Sequence, residues 1–192
     1  MFNLRFAASY LLYRLRANTR HGTHSPFVYR LVDKVIYDFR AKKVYLEVEE
    51  NYEKAGSVEG KSLSPKLKQL IYRLVADWQP ANIAIVRTLD DVTRAYLQKA
   101  ASNASLQTLE DSPEKTDIIF INDTDDLYKT YQLCLSKAYE RTMLIITNIY
   151  SDKDTWVKIK ADSRVTVTID LFAVGLVYFR KGQVKEDFTI RF

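Results

Sequence analysis

Polar residues gather where short apolar runs end. Arg87, Asp90 and Asp91 follow NIAIV, Asn122 and Asp123 follow DIIFI, and Asn148 follows MLIIT. An open α/β sheet binds ligands at the carboxyl ends of its strands, so these residues mark the cleft to inspect. Asp90 and Asp91 also suit the positive end of a helix dipole, and capping with an Arg87 salt bridge is their plainer explanation. His21 and His24 lie three apart but have no third ligand beside them, and read as hydrogen-bonders at a helix junction. The lone Cys134 falls on the apolar side of its helix. No nucleophile–base set can be nominated from this inventory, and no metal site.

The elements that must position these groups are legible from periodicity. Phe2 to Arg16 carries apolar residues at helical spacing, and Ser25-Pro26 opens a second helix whose face is Val28, Leu31, Val32, Val35, Ile36 and Phe39. Residues 41 to 56 fit a helix or a strand, and the helical reading is preferred. A further Ser-Pro start at Ser64-Pro65 leads a helix ended by Pro80. Serine is expected to cap both Ser-Pro starts.

From there the rhythm is strand then helix: 82–87 with 90–101, 117–122 with 125–140, and 143–147 with 155–160. Nearly all-apolar strands alternating with helices specify a parallel sheet with right-handed crossovers. Three strands then follow without helices, 165–171, 174–180 and 184–192, the last turn marked by Gly182. The expected fold class is therefore α/β, with a parallel centre and an antiparallel C-terminal edge. Residues 1–192 read as one domain, with 1–60 a helical extension and 61–192 the sheet core.

Composition narrows the classes. No apolar run approaches the ~20 residues of a bilayer crossing, and a single cysteine excludes an internal disulfide. A reducing, cytoplasmic setting is expected. The net charge of +5 is concentrated at the start. Arg5, Arg14, Arg16, Arg20 and Arg30 stand among the first 32 residues with no acid, while the rest of the chain is balanced.

Three stretches carry a family resemblance: HGTHSPFVYRLVDKVIYD, LIYRLVADWQP and VTVTIDLFAVGLVYFRKGQVKEDFTIRF. They resemble a bacterial group of class I S-adenosylmethionine-dependent methyltransferases reading HGxHSPF and TIDLFxVGLVFFRK. The resemblance implies a Rossmann-like fold and a cofactor cleft formed by Arg87, Asp90, Asp91, Glu110, Asn122, Asp123 and Asn148. It also exposes departures. The family's glycine-containing turn after the first strand is here Arg87-Thr88-Leu89-Asp90-Asp91. Glu110 stands where the ribose-binding acid belongs, yet only residues 111–116 separate it from the next strand, against the dozen or more a parallel crossover needs. A helix, a strand and a helix are therefore expected to be missing, with Glu110 left as a surface carboxylate.

Relatives of the catechol methyltransferase type hold magnesium with strand-end acids. This chain offers Asn122-Asp123 and Thr147-Asn148, where one carboxylate among amides makes a poor site for a hard cation, and Asp123 is expected to cap the helix that follows. The reading preferred from sequence is a non-catalytic descendant serving as an interaction or structural module, with no cofactor expected. Two readings stand beside it. One is an active methyltransferase with a rebuilt site, using S-adenosylmethionine. The other is an anion-binding module that meets nucleic acid or a membrane surface through the arginine-rich start. A homo-oligomer or protein partner is expected, since the deletion leaves an exposed sheet edge.

Overall fold

The computed structural model of the protein describes residues 4–53, 63–122 and 124–192. Its strands are β1 (Asn82–Val86), β2 (Ser105–Thr108), β3 (Ile118–Ile121), β4 (Met143–Thr147), β5 (Val167–Asp170), β6 (Val174–Tyr178) and β7 (Glu186–Thr189). They form one sheet in the order β2-β1-β3-β4-β6-β5-β7. β1 pairs in parallel with β2 and β3, and β3 with β4, as the apolar runs require. β6 runs against both β4 and β5, and β7 then pairs with β5 in parallel. β6 is thus the one reversed strand, and the antiparallel pairings lie toward the C-terminal edge.

The helices are α1 (Leu4–Arg16), α2 (Pro26–Leu31), α3 (Lys43–Glu53), α4 (Pro65–Trp78), α5 (Asp91–Ala100), α6 (Leu127–Leu135) and α7 (Lys153–Ala161). Because successive side chains of a strand face opposite ways, the sheet builds a core on each side. Ile118 and Phe120 of β3 face the cluster formed with α2 and α4, while Ile119 and Ile121 face α6 and α7. α5 packs on α4 and α3, where Tyr96 meets Tyr45 and Val48. The helical reading of 41–56 holds over Lys43–Glu53.

Several local expectations change. Neither Ser25 nor Ser64 makes a side-chain cap; Ser25 Oγ instead accepts from Gln183 Nε2 at 3.0 Å. α2 does not continue regularly but widens into a π-type turn over Val32–Ile36, with Tyr37 N bonded back to Val32 O. The buried Arg73 of α4 explains how this is tolerated, since its guanidinium donates to Val35 O at 2.8 Å and Ile36 O at 3.3 Å. Carbonyls released by the irregular turn are thereby satisfied. Asp126 caps α6 through Lys129 N; Asp123, the expected cap, lies outside the described residues.

The crossover between β2 and β3 is short but present. Residues 109–117 pass from one side of β1 to the other without a helix, and bury Leu109 against the α6 side of the sheet. Lys137 secures the passage: its Nζ donates to Ser112 O at 2.6 Å and its carbonyl accepts from Thr116 N at 3.0 Å. A run of turns and bends thus joins two parallel strands in fewer residues than the dozen expected, because it contains no helix.

α1 is docked rather than trailing. Tyr13 is 2% exposed, and its hydroxyl donates to Ile190 O at 2.5 Å and accepts from Phe192 N at 3.1 Å. Proteolytic removal of the segment before Ala17 is expected to lower the melting temperature; an unchanged transition by calorimetry would show that the helix adds nothing to stability.

Candidate functional site

At the end of β1 the backbone makes the turn that a glycine would make, but with Arg87 at φ 68°. The left-handed region disfavours side chains by roughly 1–2 kcal/mol. The guanidinium of Arg87 reaches across to Asp125, just before α6 in the β3–α6 connection. Both groups are well exposed, so this pair links two turns without adding much stability.

Asp90 caps α5, accepting from Thr93 N at 3.0 Å and Thr93 Oγ1 at 2.6 Å. Its charge is met by Lys68 of α4, with Nζ 3.2 Å from Oδ1 and both side chains nearly sealed from solvent. The salt bridge expected from Arg87 thus comes from Lys68, and Asp91 sits exposed in the first turn. Asn122 spans the gap between strands: its Nδ2 donates to Thr88 O at 3.0 Å and its Oδ1 accepts from Thr147 Oγ1 at 3.0 Å.

Of the sequence candidates, Arg87, Asp90 and Asn122 therefore meet around the ends of β1 and β3. Glu110 stands apart as an exposed turn residue beyond β2. Asn148, with φ 59°, closes the end of β4, donating from its backbone N to Ala173 O at 2.8 Å. His24 is exposed and makes no hydrogen bond to a described residue, while the side chain of His21 lies outside the described residues. Cys134 is fully buried, and burial pushes its thiol up to about 12, which leaves it without nucleophilic thiolate near neutrality.

A concavity lies elsewhere, beneath α1. A cleft of about 630 Å³ runs between α1 and the β4–α7 turn, lined by Phe6, Ser9, Asn148, Tyr150 and Lys153. A pocket of about 210 Å³ adjoins it, sharing Ser9, Tyr150 and Lys153 and reaching Trp156 and Asp170. Aromatic rings form the partition. Phe172, held at φ 67° after β5, packs against Phe6, Tyr10, Tyr13 and Tyr150 with centroid separations of 4.4 to 5.3 Å.

Asp170 is the buried charge of this region. Its Oδ1 accepts from Phe172 N at 2.8 Å and its Oδ2 from Tyr150 OH at 3.0 Å. Desolvation raises its pKa above the ordinary carboxylate value, although those two hydrogen bonds and Lys160 oppose the rise. Burial and the neighbouring carboxylate likewise raise the Tyr150 hydroxyl. Asp170, Tyr150, Lys153 and Trp156 were not singled out by sequence reasoning. The available signal was Gly175 inside an apolar strand, which marks close approach of another group. Here that group is the Trp156 ring.

No protein-family model matches the chain, and no curated protein does. Solved structures do. A methyltransferase from Podospora anserina, bound to SAH, superposes with a TM-score of 0.60 at 10% identity, covering 83% of this chain and 97% of its own. The O-methyltransferase TomG of Streptomyces achromogenes, involved in tomaymycin synthesis and solved with SAM, gives 0.52 at 12% identity over 80% and 95%. An O-methyltransferase from Bacillus cereus in complex with SAH gives 0.53 at 15% identity over 74% and 93%. This chain has the Rossmann-like α/β methyltransferase fold, a mixed seven-stranded sheet with a parallel centre.

Proposed function

We propose that the chain is a non-catalytic member of the methyltransferase fold, retained as an interaction or structural module. The observation that supports this is how the strand-end groups are used: Arg87 pairs with Asp125, Asn122 joins Thr88 to Thr147, and Asp90 is taken by Lys68 and Thr93. These are internal bonds, where a cofactor site needs backbone and side chains turned toward a ligand.

The residues present do not fit S-adenosylmethionine. Arg87 sets a cation and a long side chain where close backbone approach is needed, and opposes the ammonium and sulfonium charges of the cofactor. The exposed Asp91 repels its carboxylate at the start of α5, at a cost on the order of 1 kcal/mol at close range, while the charge of Asp90 is already met by Lys68. The 109–117 connection supplies no helix to enclose adenine. A reducing, cytoplasmic setting belongs to the same reading, as does association through the β2 edge, whose Ser105, Gln107 and Thr108 are exposed.

A second reading, an active enzyme with a rebuilt site, is favoured by the SAM- and SAH-bound neighbours. Calorimetric titration with S-adenosylmethionine and with its demethylated product decides between the two. The expected dissociation constants are millimolar or weaker, equivalent to no more than about 4 kcal/mol. Micromolar binding of either compound overturns the proposal in favour of the enzyme.

A further inference from the structure

We propose that the pocket between α1, α7 and the end of β5 binds a small hydroxylated carboxylate. The hydroxyl would bridge the Trp156 indole N–H and the Asp170 carboxylate, and the acid group would face Arg16 and Lys160. The inference is independent of whether the cleft at the ends of β1 and β3 takes a cofactor.

The innermost group sets the first requirement. Trp156 is 4% exposed and lines the pocket, yet its Nε1 has no hydrogen-bond partner. It lies close enough to Asp170 to favour the charged carboxylate while falling short of hydrogen-bonding geometry. Indole is a donor only, and a buried donor without a partner is uncommon in a folded protein. The ligand atom that meets it must accept. Asp170 beside it is an acceptor with lone pairs to spare beyond Phe172 N and Tyr150 OH. A hydroxyl satisfies both at once, accepting from Trp156 and donating to Asp170.

The mouth sets the second requirement. Arg16, Lys153 and Lys160 line the pocket against the single carboxylate of Asp170. Lys153 is engaged by Ser9 and stands over the Tyr150 ring, whereas Arg16 and Lys160 form no ion pair with a described residue. Arg16 is exposed and Lys160 half-buried, so their charges lie toward solvent while Trp156 and Asp170 lie inside. An anion whose polar tail enters the pocket matches that gradient. The walls add Tyr13, Leu12 and Val157, apolar surface for a compact carbon skeleton. A volume of about 210 Å³ equals roughly seven waters at ~30 Å³ each, the scale of a small organic acid and too little for a nucleotide.

The test uses mandelate, with phenylacetate lacking the hydroxyl and benzyl alcohol lacking the acid. The chain has two tryptophans, so the indole N–H region of an ¹⁵N spectrum holds two signals, assigned with Trp78→Phe. Mandelate is expected to move the Trp156 signal saturably with a dissociation constant below about 1 mM, and each control to bind at least about tenfold more weakly. The Arg16→Ala/Lys160→Ala double variant, altered only at the pocket mouth, is expected to lose about tenfold or more for mandelate while its spectrum stays folded. No movement of the signal at about 20 mM mandelate, equal responses to the three probes, or undiminished binding by the folded double variant would each overturn the inference.

Discussion

Lys68→Met is expected to cost about 3 kcal/mol of stability, because it strands the Asp90 carboxylate in a nearly sealed position. The mechanism is uncompensated charge and not lost packing, since methionine keeps most of the apolar stem. The cap bonds from Thr93 still reach Asp90, which holds the cost toward the lower end of that for a broken buried pair. The double variant Lys68→Met/Asp90→Asn removes both charges while leaving an amide oxygen to cap α5, and is expected to recover most of the loss. Urea unfolding of the two variants is the measurement; a single-variant loss under about 1 kcal/mol would mean the pair is solvated after all. Salt supplies a second contrast. The Arg87–Asp125 pair, with side chains 48% and 88% exposed, is screened by added salt, whereas the Lys68–Asp90 pair keeps its contribution.

Gly175→Ala is expected to destabilise by about 2–3 kcal/mol, against the usual gain when a strand glycine becomes alanine. Gly175 sits mid-strand in β6, opposite Ile146 of β4 and Asp170 of β5. An added Cβ would lie 2.6 Å from Trp156 Cη2, 2.8 Å from Cζ3 and 2.9 Å from Ile149 Cγ2. The ring is buried in the α7 side of the core and cannot swing to solvent. Shortening it should relieve the clash, so Trp156→Leu combined with Gly175→Ala should lose less than the sum of the single changes in a double-mutant cycle. A Gly175→Ala protein as stable as the parent in chemical denaturation would show that α7 shifts freely on the sheet.

The sheet was legible in the sequence because its central strands are buried on both faces. DIIFIN, for example, has no polar residue between Asp117 and Asn122. The helix starts were legible as positions but not as chemistry: both Ser-Pro signals mark true N-termini, yet neither serine caps, since proline at the first position already fixes the local backbone. Arg87 was misleading for a comparable reason. Absence of glycine argued against close backbone approach of a cofactor, and did not reveal that the tertiary frame imposes φ 68° on an arginine whose side chain reaches Asp125.

The pocket under α1 was beyond sequence reasoning because its parts come from residues 9–16, 150–160 and 170. No local periodicity connects Tyr150 to Asp170, and the register that joins them appears only when β6 pairs with both β4 and β5. Asp170 lies unmarked within the strand expected over 165–171, and only its burial distinguishes it.

The seam between α1 and β7 bears on how the chain reaches its fold during synthesis. Asn18 bridges Ile190, Tyr13 bonds to Ile190 and Phe192, and Arg191 reaches Arg14 O, contacts separated by more than 170 residues. A ribosome releases early residues long before late ones, so α1 can be made within seconds but has no β7 edge to settle on until residues 189–192 leave the exit tunnel. In that interval Tyr13 and Ala17, buried in the finished fold, have nothing to cover them, and a nascent chain is then at its most adhesive. Closing the seam is a late step, and a chain stalled before residue 189 would present this helix to chaperones rather than to its own sheet.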